Sequence, residues 1–279
     1  MSHQAEISRE NPTCFLFVVD QSGSMDEKTE TGRSKSQFLA DVLNKTIYTL
    51  ITNCTKSDGV RSYFDIGVVA YSENQVGPGF GGGLSGGFIF PIKQVADSPL
   101  RIEDRKKKLD DGAGGLIEQA IKFPIWFDPK NSGGTPMRAA LTKVAELLVG
   151  WCNSHPGSYP PTVLHVTDGQ STDGNPEDLA CHLRDIGTSD GPTLLLNLHV
   201  TASGGREIVF PATESELPDE YARMLFRMSS VMPAHMSKFA NEKGYTVASE
   251  SRAFVFNAGP EFIVDFFAIG TRPQSLADR

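Results

Sequence analysis

The strongest chemical signal in the sequence is a set of oxygen-bearing side chains in short turns. Asp20, Ser22 and Ser24 share the turn DQSGS, Thr135 lies in GGTPM, and Asp168 follows an apolar run in VTDG. Carboxylates and hydroxyls, with no His or Cys in the same loops, form a hard donor set. Such a set suits Mg²⁺, with Mn²⁺ or Ca²⁺ as alternatives, and disfavours zinc and copper. Neutral hydroxyls fill coordination positions without cancelling the charge of an ion, so it stays electrophilic toward an outside ligand. A strand-end Asp taken singly is as well explained as a turn cap; the metal reading rests on the set.

These residues need a scaffold that brings distant turns together. Cys14 to Val19 (CFLFVV) is a continuous apolar run ending at Asp20, the pattern of a strand buried on both faces. Ser34 and Gln37 resemble a capping box, and Phe38, Leu39, Val42, Leu43, Ile47, Leu50 and Ile51 recur at helical spacing after it. A second strand is expected at Tyr63 to Ser72 and another around Phe88 to Ile92. A charged helix is expected from Arg101, whereas Leu116 to Phe127 reads as either helix or strand, with Pro124 against an uninterrupted element. Pro136 suits the first turn of a helix over Met137 to Trp151. Thr162 to Thr167 reads as the strand before Asp168. Helices from Pro176, Tyr221, Ala234 and Pro260, and strands at Thr193 to Val200 and Ala253 to Phe256, complete an alternating pattern. It predicts a doubly wound, mostly parallel α/β sheet flanked by helices, a Rossmann-like arrangement whose strand ends form a ligand crevice.

With D-x-S-x-S as Asp20-Gln21-Ser22-Gly23-Ser24, Thr135 in GGTPM and Asp168 in VTDG, the chain resembles the von Willebrand factor type A (vWA) family and its metal-ion-dependent adhesion site. The resemblance implies one vWA domain over residues 13–272, between a disordered arm at 1–12 and a tail at 273–279. It implies an ion at the top of the sheet, with Ser22, Ser24 and Thr135 in contact with it and Asp20 and Asp168 bound directly or through water. The ligand expected by analogy is an Asp or Glu of a partner protein. Stand-alone members of this kind are often bacterial and cytoplasmic, and work beside kinases, phosphatases or ATPases. In members that switch affinity the last helix slides, here the apolar segment Phe262, Ile263, Phe266, Phe267 and Ile269. The chain departs from a compact member in an insertion at about residues 73–130, roughly 40 residues of extra length. Gly77, Gly79 and Gly82 there satisfy G-x-G-x-x-G without opening a helix, so a glycine-rich hairpin is expected, not a dinucleotide loop.

The remaining features narrow the function. A net charge of −8 and a mixed-sign run at Arg101 to Asp111 disfavour nucleic acid as a partner. No apolar run approaches the ~18 residues of a membrane span, and the polar start has no signal-peptide pattern, which predicts a cytoplasmic protein. Cys14, Cys54, Cys152 and Cys181 form no C-x-x-C and read as reduced packing residues. The sequons at Asn44 and Asn53 fall on a predicted helix and read as chance. Asp173, Glu177 and Asp178 read as acids at a helix start. None of the histidines has paired ligand spacing, and His165 and His199 read as core residues. Trp126 and Trp151 read as packing residues. A non-catalytic, metal-dependent interaction module is thus expected. The rivals are a metal-assisted phosphatase or hydrolase, which would need an acid where Ser22 stands, and a scaffold subunit with a silent metal site.

Overall fold

A computed structural model describes residues 3–29, 31–73, 75–110, 116–201, 206–259 and 262–272. β1 (Thr13–Asp20) is buried along its whole length. Phe15, Phe17 and Val19 enter one hydrophobic core and Cys14, Leu16 and Val18 another, because successive strand side chains point to opposite faces. Such a strand needs helices on both sides. α1 (Lys35–Cys54) supplies the first, starting at the expected capping box: Ser34 Oγ accepts from Gln37 N, and the Gln37 side chain accepts from Ser34 N. A small ribbon, β2 (Thr55–Lys56) and β3 (Gly59–Val60), leads to β4 (Phe64–Ser72), parallel to β1 with Asp20 opposite Tyr71.

The insertion differs most from the sequence reading. β5 (Gln75–Pro78) and β6 (Ile89–Pro91) both run antiparallel to β4, followed by α2 (Ile92–Asp97). The glycine-rich stretch between them lies against the sheet: Gly79 N donates to Val68 O and Gly81 N to Trp126 O, and a Cβ on Gly79 would collide with Val68. Residues from Arg101, expected to be helical, form β7 (Arg101–Asp110), paired with β8 (Leu116–Ile125) in a separate two-stranded ribbon. Cross-strand contacts outweigh the local helical preference. Asp104 faces Lys122 and forms an ion pair at 2.7 Å, and the Arg105 guanidinium covers the Phe123 ring at 4.4 Å. The ribbon's edge also tolerates Pro124. Asn44 of α1 anchors its base: Oδ1 accepts from Trp126 N and Phe127 N, and Nδ2 donates to Phe127 O.

α3 (Met137–Ser154), β9 (Thr162–Thr167), α4 (Glu177–Asp185), the ribbon β10 (Gly187–Thr188) and β11 (Gly191–Pro192), and β12 (Leu194–Val200) follow. The chain continues through β13 (Ile208–Val209), α5 (Glu220–Met228), α6 (Ala234–Glu242), β14 (Phe254–Ala258) and α7 (Phe262–Gly270). The main sheet has the order β13-β14-β12-β9-β1-β4-β5, with β6 also on β4. β4, β1, β9, β12 and β14 are parallel neighbours; β5, β6 and β13 are antiparallel edges. α1, α2, α6 and α7 cover one face, and α3, α4 and α5 the other. This is the mixed α/β architecture expected, with Trp126, Trp151 and Phe262, Ile263, Phe266, Phe267 and Ile269 of α7 buried.

Residues 3–12, expected to form a disordered arm, are instead docked. Ile7 is fully buried in the first core, and Gln4 N and Ala5 N donate to the Asp190 carboxylate at 2.8 and 2.9 Å. The tail at 273–279 lies outside the described residues.

His165 illustrates how burial sets pH sensitivity. Its ring is fully buried, with Nε2 2.7 Å from Tyr71 OH and Nδ1 2.8 Å from Asn197 Oδ1. Burial pushes its pKa down to about 4. An imidazole in the unfolded chain titrates near ~6.5, so between these values the unfolded state binds the extra proton. Stability from this group is complete above the unfolded value and falls with pH toward the folded one, by up to ~1.4 kcal/mol per pH unit. His199 and His235 are likewise lowered to about 4 by burial, so the three rings together outweigh the opposing Asp20 carboxyl, and the urea midpoint of metal-free protein should drop from pH 7 to pH 5, with the His165 ring still neutral by NMR. A ring that titrates normally in the native protein would contradict this.

Candidate metal centre

β1 is the switch point of the sheet: β4 lies on one side of it, β9 on the other, and α1 and α3 pack on opposite faces. The loops leaving the carboxyl ends of β1 and β9 diverge there, which opens the crevice typical of doubly wound sheets. Asp20 ends β1, and Asp168 follows Thr167 at the end of β9. The Thr135 loop is laced to both neighbours through backbone groups. Gly23 N donates to Gly133 O and Ser132 N to Gln21 O, each at 2.9 Å, while Thr172 N donates to Thr135 O, also at 2.9 Å. Gly133 sits at φ 66°, and a Cβ there would run into Glu73, so the tight approach of this loop requires glycine.

The lacing gathers the oxygens. Asp20 is fully buried, Oδ1 accepting from Ser22 N at 2.8 Å and Oδ2 from Thr167 Oγ1 at 2.7 Å. Ser22 Oγ and Ser24 Oγ are 3.1 Å apart, and Ser24 Oγ donates to Asp168 Oδ1 at 2.6 Å. Thr135 reaches the same place: a methyl on Gly169 would stand 3.5 Å from Thr135 Oγ1 and 3.8 Å from Ser24 Oγ. All the residues singled out from sequence, Asp20, Ser22, Ser24, Thr135 and Asp168, thus meet at one crevice.

The electrostatics favour a cation. Burial raises the Asp20 pKa to about 6, with the neighbouring Asp168 charge adding to the rise and bonds from Ser22 and Thr167 opposing it. Lys35, which sequence reasoning missed, answers part of this charge. Its Nζ lies 2.5 Å from Asp168 Oδ2 and 2.8 Å from Glu27 Oε2, with its side chain 4% exposed. The Asp168 contact is charge proximity without hydrogen-bond directionality, since buried Oδ2 has no hydrogen-bond partner. A signal for Lys35 was present: it opens α1, and an ammonium at the positive end of a helix dipole needs a compensating acid.

Hydroxyls, not additional acids, complete the donor set, and among the described residues no three His, Cys, Asp or Glu side chains gather around one point. This all-oxygen chemistry fits a hard divalent ion better than zinc. The nearby acids set aside from sequence have other partners. Asp173 accepts from Arg138 N and Ala139 N, so it caps α3, Asp178 pairs with Arg138, and Glu177 pairs with Arg227. Behind the crevice, Tyr221 OH donates to Gly169 O. His199 stacks on Phe256 with ring centroids 4.7 Å apart, and burial lowers its pKa to about 4.

Fold and site together define a doubly wound α/β domain whose switch-point crevice is lined by laced, oxygen-bearing loops. No family model and no curated protein matches the sequence. Among solved structures, the chain is similar to the ArnB paralog VWA2 from Sulfolobus acidocaldarius, at 12% identity over 68% of this chain and TM-score 0.33. It spans only 35% of the length of that protein. It is similar also to the manganese-loaded TRAP protein of Plasmodium vivax, at 12% identity over 92% of this chain and 72% of that one, with TM-score 0.40. The vWF domain of the type V pili tip protein Mfa5 from Porphyromonas gingivalis matches at 15% identity over 96% of this chain and 99% of that one, with TM-score 0.37.

Proposed function

We propose that this chain is a vWA-type interaction module that binds a partner protein's Asp or Glu carboxylate through a divalent ion, and that it is not an enzyme. The observation that carries the reading is the convergence of the side-chain oxygens of Asp20, Ser22, Ser24, Thr135 and Asp168 on one crevice. Mg²⁺ is the ion that best suits these donors, with Mn²⁺ or Ca²⁺ as substitutes; bound, it supplies a Lewis-acidic position for an outside carboxylate oxygen. Ser22, Ser24 and Thr135 act as neutral donors. Asp20 is held by Ser22 N and Thr167 Oγ1, which fixes its orientation without an ion. Lys35 offsets part of the carboxylate charge and the hydroxyl donors add none, so a divalent ion there stays electrophilic toward an acidic partner side chain.

No helix among the described residues is long and apolar enough to cross a membrane. The resemblance to intracellular vWA proteins supports a bacterial, cytoplasmic setting and a kinase, phosphatase or ATPase of the same system as partner. A phosphatase reading lacks the acid that Ser22 replaces. The β7–β8 ribbon, a sheet separate from the main one, favours one other reading, a scaffold whose assembly uses that ribbon while the metal site stays silent.

The test is a pull-down from native lysate with wild-type and Asp20→Ala protein, each in Mg²⁺ and in EDTA. A partner retained only by the wild type in Mg²⁺ is expected. Equal retention in all arms would refute the metal bridge and move the search to the ribbon. Turnover of phosphoesters or esters that is lost in Asp20→Ala would instead establish an enzyme.

A further inference from the structure

We propose that Arg184 and Arg252 form a second binding site, remote from the metal centre, for the dianion of a phosphate group, free or as a monoester. Arg184 lies in the last turn of α4, and Arg252 stands just before β14. The pair therefore sits toward the amino ends of the parallel strands, whereas Asp20 and Asp168 stand at their carboxyl ends. It does not depend on the metal-bridge reading.

One backbone oxygen holds both guanidinium groups. Ser229 O, just past the end of α5, accepts from Arg252 Nη1 at 2.5 Å and from Arg184 Nη1 at 3.2 Å. The two Nη1 atoms are thus less than about 6 Å apart, a separation at which like charges repel. Neither arginine has a carboxylate within ion-pair distance among the described residues. The nearby acids go elsewhere: Arg227, in the last turn of α5, takes Glu177, Glu214 and Glu220. Capping explains part of the arrangement, since basic side chains complement the end of a helix, and Arg252 Nη1 also reaches Arg227 O at 3.4 Å. A helix end supplies only about half a negative charge, however, and does not neutralise two guanidiniums.

The unused donors define the ligand. Arg252 forms hydrogen bonds only through Nη1, so its Nε–Nη2 edge, the fork that grips oxyanions bidentately, is unengaged among the described residues. The Phe226 ring, 5.1 Å from Arg252 Cζ, steadies the side chain but supplies no anionic oxygen. Arg184 Nη2 reaches the weak acceptor Cys181 Sγ at 3.4 Å, and its Nε is buried without a hydrogen bond. Cys181 is exposed, so the pair borders on solvent. Burial and the Arg184 charge lower the pKa of Arg252, as expected of a cation without a counter-anion. A planar carboxylate is filled by one guanidinium fork. A tetrahedral phosphate keeps a further oxygen for a second guanidinium and carries charge for both.

The test is a titration of the full chain with inorganic phosphate and with methyl phosphate, in EDTA so that no metal takes part. It is run at fixed ionic strength and about pH 7.5, where the dianion predominates, and read by the arginine Nε–H NMR signals. Those of Arg184 and Arg252 should move together with a Kd on the order of 1 mM, while Arg227, already saturated by carboxylates, stays in place. Acetate should bind at least about 10-fold more weakly. Arg252→Lys keeps the charge and a donor for Ser229 O but loses the fork, and should weaken phosphate binding about 10-fold. Arg184→Gln, a good helix former on α4, should weaken it to a similar degree. Methyl phosphate binding at least as tightly as inorganic phosphate assigns the site to monoesters, and the reverse order assigns it to the free ion. No movement up to about 50 mM phosphate, an equal response to acetate, or undiminished binding by both variants would each overturn the proposal.

Discussion

Asp20→Asn is expected to stabilise the metal-free protein and, at the same time, to abolish its stabilisation by Mg²⁺. The folded Asp20 carboxyl titrates at about 6 instead of its ordinary 3.8, chiefly because it is buried. The folded state therefore holds this proton more tightly than the unfolded chain. The resulting penalty grows as pH rises between those values and is complete above the folded one, amounting to about 3 kcal/mol at pH 7 on the scale of 1.36 kcal/mol per unit. Asparagine removes the charge with little loss of bonding. Its oxygen can still accept from Ser22 N, and its amide can donate to Thr167 Oγ1, whose hydroxyl lies 3.1 Å from an alternative acceptor, Gly169 O. A net gain of about 1–3 kcal/mol in EDTA is expected. In Mg²⁺ at about 100 times Kd, the wild type gains about 2.7 kcal/mol by linkage, whereas the variant, with its affinity down about 100-fold, gains a few tenths. Thermal unfolding at pH 7 across a Mg²⁺ series reads both effects. An equal Mg²⁺ response in the two proteins would remove Asp20 from the centre. A less stable variant in EDTA would mean that its hydrogen bonds outweigh its buried charge.

The parts of this molecule legible from sequence are those where local pattern and tertiary environment agree. β1 and β9 are mostly apolar and buried throughout because both faces are covered, and each leads into an Asp beside small residues because strand ends must turn at the crevice. The capping box at Ser34 is satisfied locally and needs nothing distant. Where the deciding partner lies far along the chain, sequence alone was insufficient. Arg101 to Asp110 has the composition of a solvated helix, but its pairing depends on a strand beyond the turn that follows. Ile7 is one apolar residue in a polar segment, and only the folded sheet provides its pocket. Lys35 is the instructive omission at the site. The oxygens were recognisable from their spacing, but an ammonium that reaches Asp168 across more than a hundred residues of chain is invisible to spacing and shows only as a helix-dipole mismatch.

Lys35→Met tests that omission, and its Mg²⁺ response should oppose that of Asp20→Asn. Methionine keeps most of the buried stem and removes only the charge. Glu27 is 54% exposed on its side chain, so solvent screens its share of the pairing and its loss counts for little. Asp168 is different: its side chain is fully buried, and Oδ2 has no hydrogen bond to fall back on. Removing one member of a buried ion pair leaves an uncompensated charge and typically costs about 3–5 kcal/mol. That loss should appear in full as a lower urea midpoint in EDTA. A divalent ion held by Ser24 and Asp168 replaces the missing positive charge, so saturating Mg²⁺ should return most of it and make the variant more metal-dependent than the wild type. The double variant Lys35→Met/Asp168→Asn separates charge from packing. With neither charge present, its midpoint in EDTA should recover toward the wild type, and Mg²⁺ should no longer change it. If Lys35→Met lost the same stability with and without Mg²⁺, the ion would not sit where it can neutralise Asp168, and the centre would have to be built around Asp20 and the hydroxyls alone.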